Sequence, residues 1–427
     1  MTNKAEPYDI WFYLTYLWKE INDPLIRCRI DFDGPVDEDA LKRAVTLSLN
    51  TVPVIGCSFE CHSRGPRWVN KNFTGEDIVR VIESGIDLES RVIQCFTVGI
   101  TVETEPLLRI YILRRAGGDT LCAVISHIVC DGAGFKQYLY LLSDIYTELK
   151  NGREPPAQSY YRRGIKPLFA GVSLKEKIKI QRSRSYINAY SYSNMKYQRG
   201  VDFRDGGAEA YMLRRTLSKE SFYRIKRFAK MRNATINDSL MALFARAFCK
   251  NTGAESIELP STMDLRKFVP QGVKYGVSNY TSNCVCDISV QPNDTLGQTI
   301  TRVSEQMRVH KSGKDILKSV LDWNLTVSLT PYRLLKRIYE DNTIHPIVSF
   351  TNFGIINSEL LNFDNTAINS IYITVSIKPR PYLLLSASTF NDACTLSSNI
   401  YGSRNDKIFI DKLFDDICSE ISSLTDY

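Results

Sequence analysis

The 427-residue sequence contains no uninterrupted apolar run near the roughly 20 residues that a membrane-crossing helix needs. The early apolar stretch from Ile10 to Trp18 has no basic region of useful length before it and is followed at once by Lys19 and Glu20, so a secretory leader is not expected. Histidine is scarce. Only His62, His127, His310 and His345 are present, which leaves few candidates for a base that works near neutral pH. Cysteine is more plentiful, but its eleven occurrences are odd in number and lack the spacing of a disulfide framework, which points to a reducing, cytoplasmic setting. Cys57, Cys61 and His62 lack a second ligand pair, so no metal site is expected.

What is present is ordinary for a globular protein, with 44% apolar and 24% charged residues. The length exceeds what one small core accommodates and suggests two domains of roughly 200 residues each. Arg27 to Phe32 alternates as a strand, Gly34 and Pro35 turn it, and Val36 to Asn50 carries the helical stripe Leu41, Val45, Leu49. The acidic opening of that helix, Asp37, Glu38 and Asp39, suits its dipole. Val54 to Phe59 is expected as a strand, a Gly- and Asn-rich loop follows, and Arg91 to Ile100 and Pro106 to Leu113 are expected as further strands. Beyond Gly207 a second α/β pattern starts. Its strands are expected at Glu209 to Thr216, Ser256 to Met263, Ile347 to Asn352, Ile371 to Ser376, Tyr382 to Ser388 and Leu396 to Tyr401, and its helices at Lys219 to Met231, Thr235 to Lys250, Thr295 to Lys311 and the C-terminus.

The stretch from Leu121 to Lys150 organises the chain. It opens with the β-favouring residues Leu121, Ala123, Val124 and Ile125 and resumes after Gly132 with Phe135, Tyr138, Leu142, Ile145 and Leu149 at helical spacing. Between strand and helix lie Ser126, His127, Ile128, Val129, Cys130 and Asp131, so an imidazole ends the strand and a carboxylate follows four residues later. Cys130 beside it is a possible nucleophile, although its strand-to-loop setting favours packing.

Charge is uneven. Residues 150 to 232 hold 21 Lys plus Arg against 6 Asp plus Glu, among them Arg162, Arg163, Lys166, Lys175, Lys177, Lys179, Arg182 and Arg184. Such a segment attracts a polyanion, whether a nucleotide-like cofactor or an acidic carrier protein, or is a solvated face. Nothing in it matches a nucleic-acid-binding module, and nucleic acid is not expected as a partner.

SHIVCDG resembles the HHxxxDG motif of the CoA-dependent acyltransferase superfamily, which includes chloramphenicol acetyltransferases, alcohol acetyltransferases and nonribosomal peptide condensation domains. Ala234 to Phe248, Met263 to Asn279 with its D-x-R segment and Gly and Asn loop, Ser349 to Gly354, and Pro106 to Arg109 resemble further segments of these enzymes in the same order. The resemblance implies two chloramphenicol-acetyltransferase-like α/β sandwich domains in pseudo-twofold arrangement with an active-site tunnel between them. The implied division is an N-terminal domain over 1–160, a basic crossover over 161–206 and a C-terminal domain over 207–427. It implies an acyltransferase, similar to freestanding alcohol acetyltransferases, that moves an acyl group from an acyl-CoA or carrier-protein thioester to a hydroxyl or amine of a small acceptor. No cofactor is implied beyond that co-substrate. His127 is the expected general base, and Asp131, Gly132 and Arg266 are expected to hold the motif in shape through an Asp131–Arg266 ion pair. Ser349, Thr351 and Asn352 are the candidates for an oxyanion or substrate contact. Ser126 stands where most such relatives carry histidine; the second histidine does the chemistry in the family, so activity is still expected, but condensation-domain identity is not. The rival reading is a non-catalytic condensation-like module that binds a carrier protein.

Overall fold

The computed structural model describes residues 10–18, 23–62, 65–83, 85, 87–155, 161, 163–183, 209–342 and 346–424. His345, Arg162 and positions 184–206 of the expected crossover lie outside the described residues, as does the side chain of His62. Elements are numbered in chain order. Helix α1 (Ile10–Trp18) precedes strand β1 (Leu25–Phe32) and helix α2 (Glu38–Ser48). A hairpin of β2 (Cys57–His62) and β3 (Gly65–Asn70) leads to the short α3 (Gly75–Ile78), β4 (Val79–Glu83), α4 (Leu88–Thr97), β5 (Leu108–Arg114), β6 (Thr120–Ser126) and α5 (Gly132–Lys150).

Alternation along these strands builds cores on both faces of the first sheet. Ile26, Cys28 and Ile30 of β1 and Leu121, Ala123 and Ile125 of β6 pack with Leu41 and Val45 of α2 and Phe135, Tyr138 and Leu142 of α5. On the other face Val92, Cys95 and Phe96 of α4 cover Cys122 and Val124. Arg91 to Ile100 is therefore not the strand its β-favouring residues suggest: Asp87 caps the segment by accepting from Ser90 N at 3.1 Å, and the three buried residues recur at helical spacing. The loop expected before it contains β4, an edge strand parallel to β5.

The second half follows the helix α6 (Leu174–Arg182). It comprises β7 (Glu209–Leu217), α7 (Lys219–Lys230), α8 (Ile236–Thr252), β8 (Ser256–Asp264), β9 (Thr281–Ser289), α9 (Leu296–Ser312), α10 (Lys318–Leu329), α11 (Tyr332–Asn342) and β10 (Val348–Ile356). Then come β11 (Ile368–Thr374), β12 (Lys378–Pro379), β13 (Leu383–Phe390), β14 (Ala393–Gly402) and α12 (Arg404–Ser422). Seven strands form the second sheet in the order β12-β14-β13-β10-β8-β9, with β7 also on β14. Phe244, Ile300, Leu413 and Phe414 from α8, α9 and α12 close its core over Leu259, Phe350, Leu385 and Leu396.

The halves exchange elements. After β10 the chain runs across α5, where Asn357 N donates to Tyr140 Oη at 2.8 Å and Thr147 Oγ1 donates to Asn362 O at 2.6 Å. It then enters the first sheet as β11, antiparallel to β1 with Ile371 opposite Ile30, before β12 returns to the second sheet beside β14. In the other direction, Trp11 of α1 donates Nε1–H to Thr281 O at 3.0 Å and packs edge-on to Tyr280. The first sheet is thus not built from N-terminal residues alone. No described helix is long and apolar enough to cross a membrane.

Ile373 of β11 is fully buried in the first core, so truncating it opens a cavity there. Ile373→Ala is expected to lower the free energy of unfolding by about 2–5 kcal/mol in urea titrations.

Candidate active site

Strand β6 ends in a turn fixed by its own backbone. His127 N donates to Pro24 O at 2.7 Å, continuing the ladder with the chain before β1, and Val129 N folds back onto Ser126 O at 2.9 Å. From Ser126 to Gly132 every residue is buried except His127, which is partly exposed. The turn therefore presents one reactive side chain and hides its neighbours.

Asp131 caps α5, accepting from Gly134 N at 2.8 Å through Oδ1. The same carboxylate accepts a bidentate pair from Arg266, 2.9 Å on each oxygen, together with Tyr280 N at 2.7 Å and Thr281 Oγ1 at 2.7 Å. All but the first of these donors belong to the C-terminal half. Arg266 sits in the single turn after β8, where Asp264 accepts its N–H at 2.9 Å, and it donates also to Ser278 O at 2.8 Å. The two charges are almost wholly buried, with side chains 5% and 8% exposed. Burial pushes the Asp131 carboxyl up, but the Arg266 charge and the hydrogen bonds outweigh it and hold the group below the usual carboxylate range. None of the hydrogen bonds found for this carboxylate reaches His127, so Asp131 does not orient the imidazole as the acid of a hydrolase triad does.

The imidazole is enclosed by both halves. Burial depresses its pKa, opposed in part by its own backbone carbonyl, the Asp131 charge and the Asn279 side chain, while the Lys378 charge lowers it further. The ring is consequently neutral near pH 7, the form that can accept a proton. Lys378 is buried near Asp23, and burial brings its own pKa down to about 8. Cys130 is fully buried, and burial together with the Asp131 charge pushes its thiol up, so it stays protonated and packs. Gly132 has no room for a side chain, because a Cβ there would collide with the Phe353 ring of β10. Lys136 ties the same two elements, donating to Phe353 O at 2.6 Å and Ile355 O at 2.9 Å.

The remaining candidates divide. Phe350 points into the second core, so alternation turns Ser349 and Thr351 to the opposite face of β10 and Asn352 away from them. Thr351 Oγ1 is hydrogen-bonded to Thr262 Oγ1 at 2.7 Å, and Asn352 Oδ1 accepts from Gly354 N at 2.8 Å in the bulge that interrupts the ladder with β13 before it resumes at Ile355. The structure does not gather the three into one donor set. His310, on α9, is held through Nε2 to Val285 O of β9 at 2.9 Å. Among the described residues no cluster of three or more His, Cys, Asp or Glu could hold a metal ion.

Sequence reading passed over three participants. Arg163, counted as part of the basic crossover, turns inward and donates to Val129 O and, at 2.9 Å, to Ile128 O. Asn279 donates Nδ2–H to His127 O at 2.9 Å, and Lys378 stands at the site's edge. Asn279 alone had a local signal, the Gly and Asn loop after the D-x-R segment.

The profile of the condensation domain matches residues 26–316, and the chain belongs to that family, within the CoA-dependent acyltransferase superfamily. Its members transfer acyl or peptidyl groups between carrier-protein-bound substrates or act as non-catalytic modules. Among solved structures, polyketide synthase associated protein 5 from Mycobacterium tuberculosis superposes with a TM-score of 0.69 at 17% identity, covering 99% of this chain and 98% of that one. The first condensation domain of the calcium-dependent antibiotic synthetase, solved with a substrate analogue, gives 0.69 at 14% identity over 98% and 97% of the two chains. The epimerization domain from the third module of tyrocidine synthetase B gives 0.64 at 14% over 99% and 97%. At these identities the likeness is one of fold, the two-part chloramphenicol-acetyltransferase-like architecture. No curated protein sequence matches the chain significantly.

Arg266→Ala leaves a buried carboxylate without its counter-ion and is expected to cost about 3–5 kcal/mol in urea unfolding. Because the folded-state pKa of Asp131 is depressed, the stabilisation is present above the unfolded value of about 4 and is lost as pH falls through the lower, folded one. Stability of the parent is thus expected to fall more steeply on acidification than that of Arg266→Ala.

Proposed function

We propose that this chain is an acyltransferase that moves an acyl group from a CoA or carrier-protein thioester to a hydroxyl or amine, with His127 as general base. The observation that carries the reading is the isolation of His127: it is the one partly exposed side chain in a buried turn at the seam, in surroundings that keep it neutral. A thioester carbonyl is electrophilic enough to be attacked directly, so no enzyme nucleophile is needed, in keeping with a protonated Cys130. The acceptor's O–H or N–H gives its proton to His127 as the new acyl bond forms. The C–S bond then breaks, and the imidazolium returns the proton to the departing thiolate. Ser349 and Thr351, on the face of β10 turned from the second core, are the candidates to donate to the developing oxyanion.

This chemistry needs no resident cofactor, and a cytoplasmic location suits a thioester donor that leaves as a free thiol. The competing reading, a non-catalytic module that binds a carrier protein, draws on Ser126 at the position where relatives hold histidine. Ser126 is completely buried and its Oγ accepts from Ile128 N at 3.4 Å, so this side chain sits inside the turn and not in the cleft.

Mass spectrometry of the protein with acyl-CoA donors, acylated carrier protein and a mixed panel of alcohols and amines tests the reading. Transfer to an acceptor is expected with at least one donor class, and His127→Ala is expected to lower it by about 10²–10⁴-fold. Release of thiol at the same rate in parent and variant, with no acylated acceptor, would rule out His127 as the base and overturn the reading. The pH profile gives a further check. Since the ring's pKa lies below the ordinary 6.5, kcat/KM is expected to be on its plateau already at neutral pH and to fall only on acidification below that value.

A further inference from the structure

We infer that Arg163 is a positioning residue for His127, a role that rests on His127 being the base. The turn that carries the ring places its amides within the N-terminal half, His127 N on Pro24 O and Val129 N on Ser126 O. Its carbonyls are met from elsewhere in the chain. His127 O accepts from Asn279 Nδ2 at 2.9 Å, Ile128 O accepts from Arg163 Nη2 at 2.9 Å, and Val129 O accepts from Arg163 Nη1. Ile128 and Val129 are completely buried, so bulk water does not reach these carbonyls. Among the described residues, the hydrogen bonds found for Ile128 O and Val129 O all come from Arg163.

The same guanidinium faces the opposite half. Nη1 donates to Val277 O at 3.4 Å, two residues before Asn279 on the loop that holds His127 O. The neighbours of Arg163 press on that loop as well. Tyr280 Oη donates to Gly164 O at 3.0 Å, and a Cβ on Gly276 would stand 2.6 Å from Tyr161 O, so only glycine admits so close an approach of the two backbones. The start of the basic crossover is thus laid between the histidine turn and the 276–280 loop, and the fork of Arg163 joins the two. Its bonds run to neutral carbonyls inside the protein, which sets it apart from a surface that gathers anions.

A peptide unit is planar, so fixing both of its ends fixes the orientation of the whole. The unit between Ile128 and Val129 is held in this way, its carbonyl on Arg163 and its N–H on Ser126 O. Without the guanidinium two buried carbonyls lose their donor, and the turn gains by rotating them towards water. That rotation begins one residue from the histidine and carries the ring with it. A base acts only when the reacting atoms lie about 3–3.5 Å apart and aligned, and a displacement of about 1 Å can cost as much as 10²-fold in rate. A planar fork reaches successive carbonyls from separate nitrogens, which the single ammonium of a lysine does less well.

The test compares the full-length parent with Arg163→Met and Arg163→Lys, and with Ile417→Ala, which opens the core beneath α12 and controls for lost stability alone. Rates are read on folded protein, verified by circular dichroism. Arg163→Met is expected to lower kcat by about 10–10²-fold with KM little changed, Arg163→Lys to restore part of the loss, and Ile417→Ala to keep the parental kcat. With 15N-histidine labelling and no substrate, the His127 ring signals, identified by their loss in His127→Ala, are expected to shift in Arg163→Met while those of His310 stay in place. Parental kcat or parental His127 signals in folded Arg163→Met overturn the inference, as does an equal loss of kcat in Ile417→Ala. Should Arg163→Met not fold, Arg163→Lys decides: shifted ring signals with a severalfold lower kcat are expected, and parental values of both overturn it. A ring displaced in Arg163→Met, in a protein that transfers no acyl group to any acceptor, would sink the proposed function and keep Arg163 as the residue that places the ring. Transfer abolished in His127→Ala but parental in folded Arg163→Met would do the reverse.

Discussion

A single buried carboxylate holds the two halves of this protein in register. Asp131 belongs to the N-terminal half, yet its bonds to Arg266, Tyr280 N and Thr281 Oγ1 all run to the other half. Taking a carboxylate out of water is costly, and a lone positive charge at the same depth would be no better. The pair persists because a planar guanidinium matches both oxygens at once while the Asp131 cap and the Tyr280 amide satisfy the lone pairs that remain. His127 stands four residues before this clamp on a turn that Arg163 braces from below, so the position of the ring relative to the C-terminal half follows from the clamp.

The histidine and the aspartate thus divide their tasks in a way that spacing alone does not show. Four residues between an imidazole and a carboxylate fit a catalytic pair as well as they fit a structural one. What decides is the count of donors around the acid, which leaves no bond for the ring. The ring's basicity is then set by burial, by amide and carbonyl dipoles and by the nearby Lys378, each of which disfavours or only weakly favours the imidazolium. A base that must be neutral before it acts is better served by those surroundings than by a carboxylate in contact.

Much of this was legible from the chain. The strand, turn and helix from Leu121 to Lys150 announce themselves because the apolar period changes from two to about 3.6 across the motif, and Arg266 was found through the D-x-R segment. Arg91 to Ile100 was misread as a strand because Val92, Ile93 and Phe96 favour strands, and the cap at Asp87 carries the contrary signal in one residue. Strand β9 was missed although Ser282, Cys284, Cys286 and Ile288 alternate inward, since serine and cysteine give a weak apolar signal. Arg163 and Lys378 could not be read at all. Their roles come from contacts with chain segments far away in sequence, and in composition they are only two more cations in a basic protein.

The exchange of elements between the halves ties them together well beyond the clamp. Strand β11 is laddered to β1 from Thr374 opposite Arg27 to Ile368 opposite Phe32, and it is covalently continuous with β10 and β12 of the other sheet. Parting the halves as rigid bodies would mean breaking that ladder, drawing Trp11 off Tyr280 and separating Asp131 from Arg266. Each of these exposes buried surface or an unpaired charge, so the halves are expected to stay together. His127 is therefore held at a fixed place relative to the C-terminal half while the clamp is intact. A ring fixed in this way by both halves needs no movement of one half against the other to keep its place, which is what any chemistry between two reacting groups at it would require.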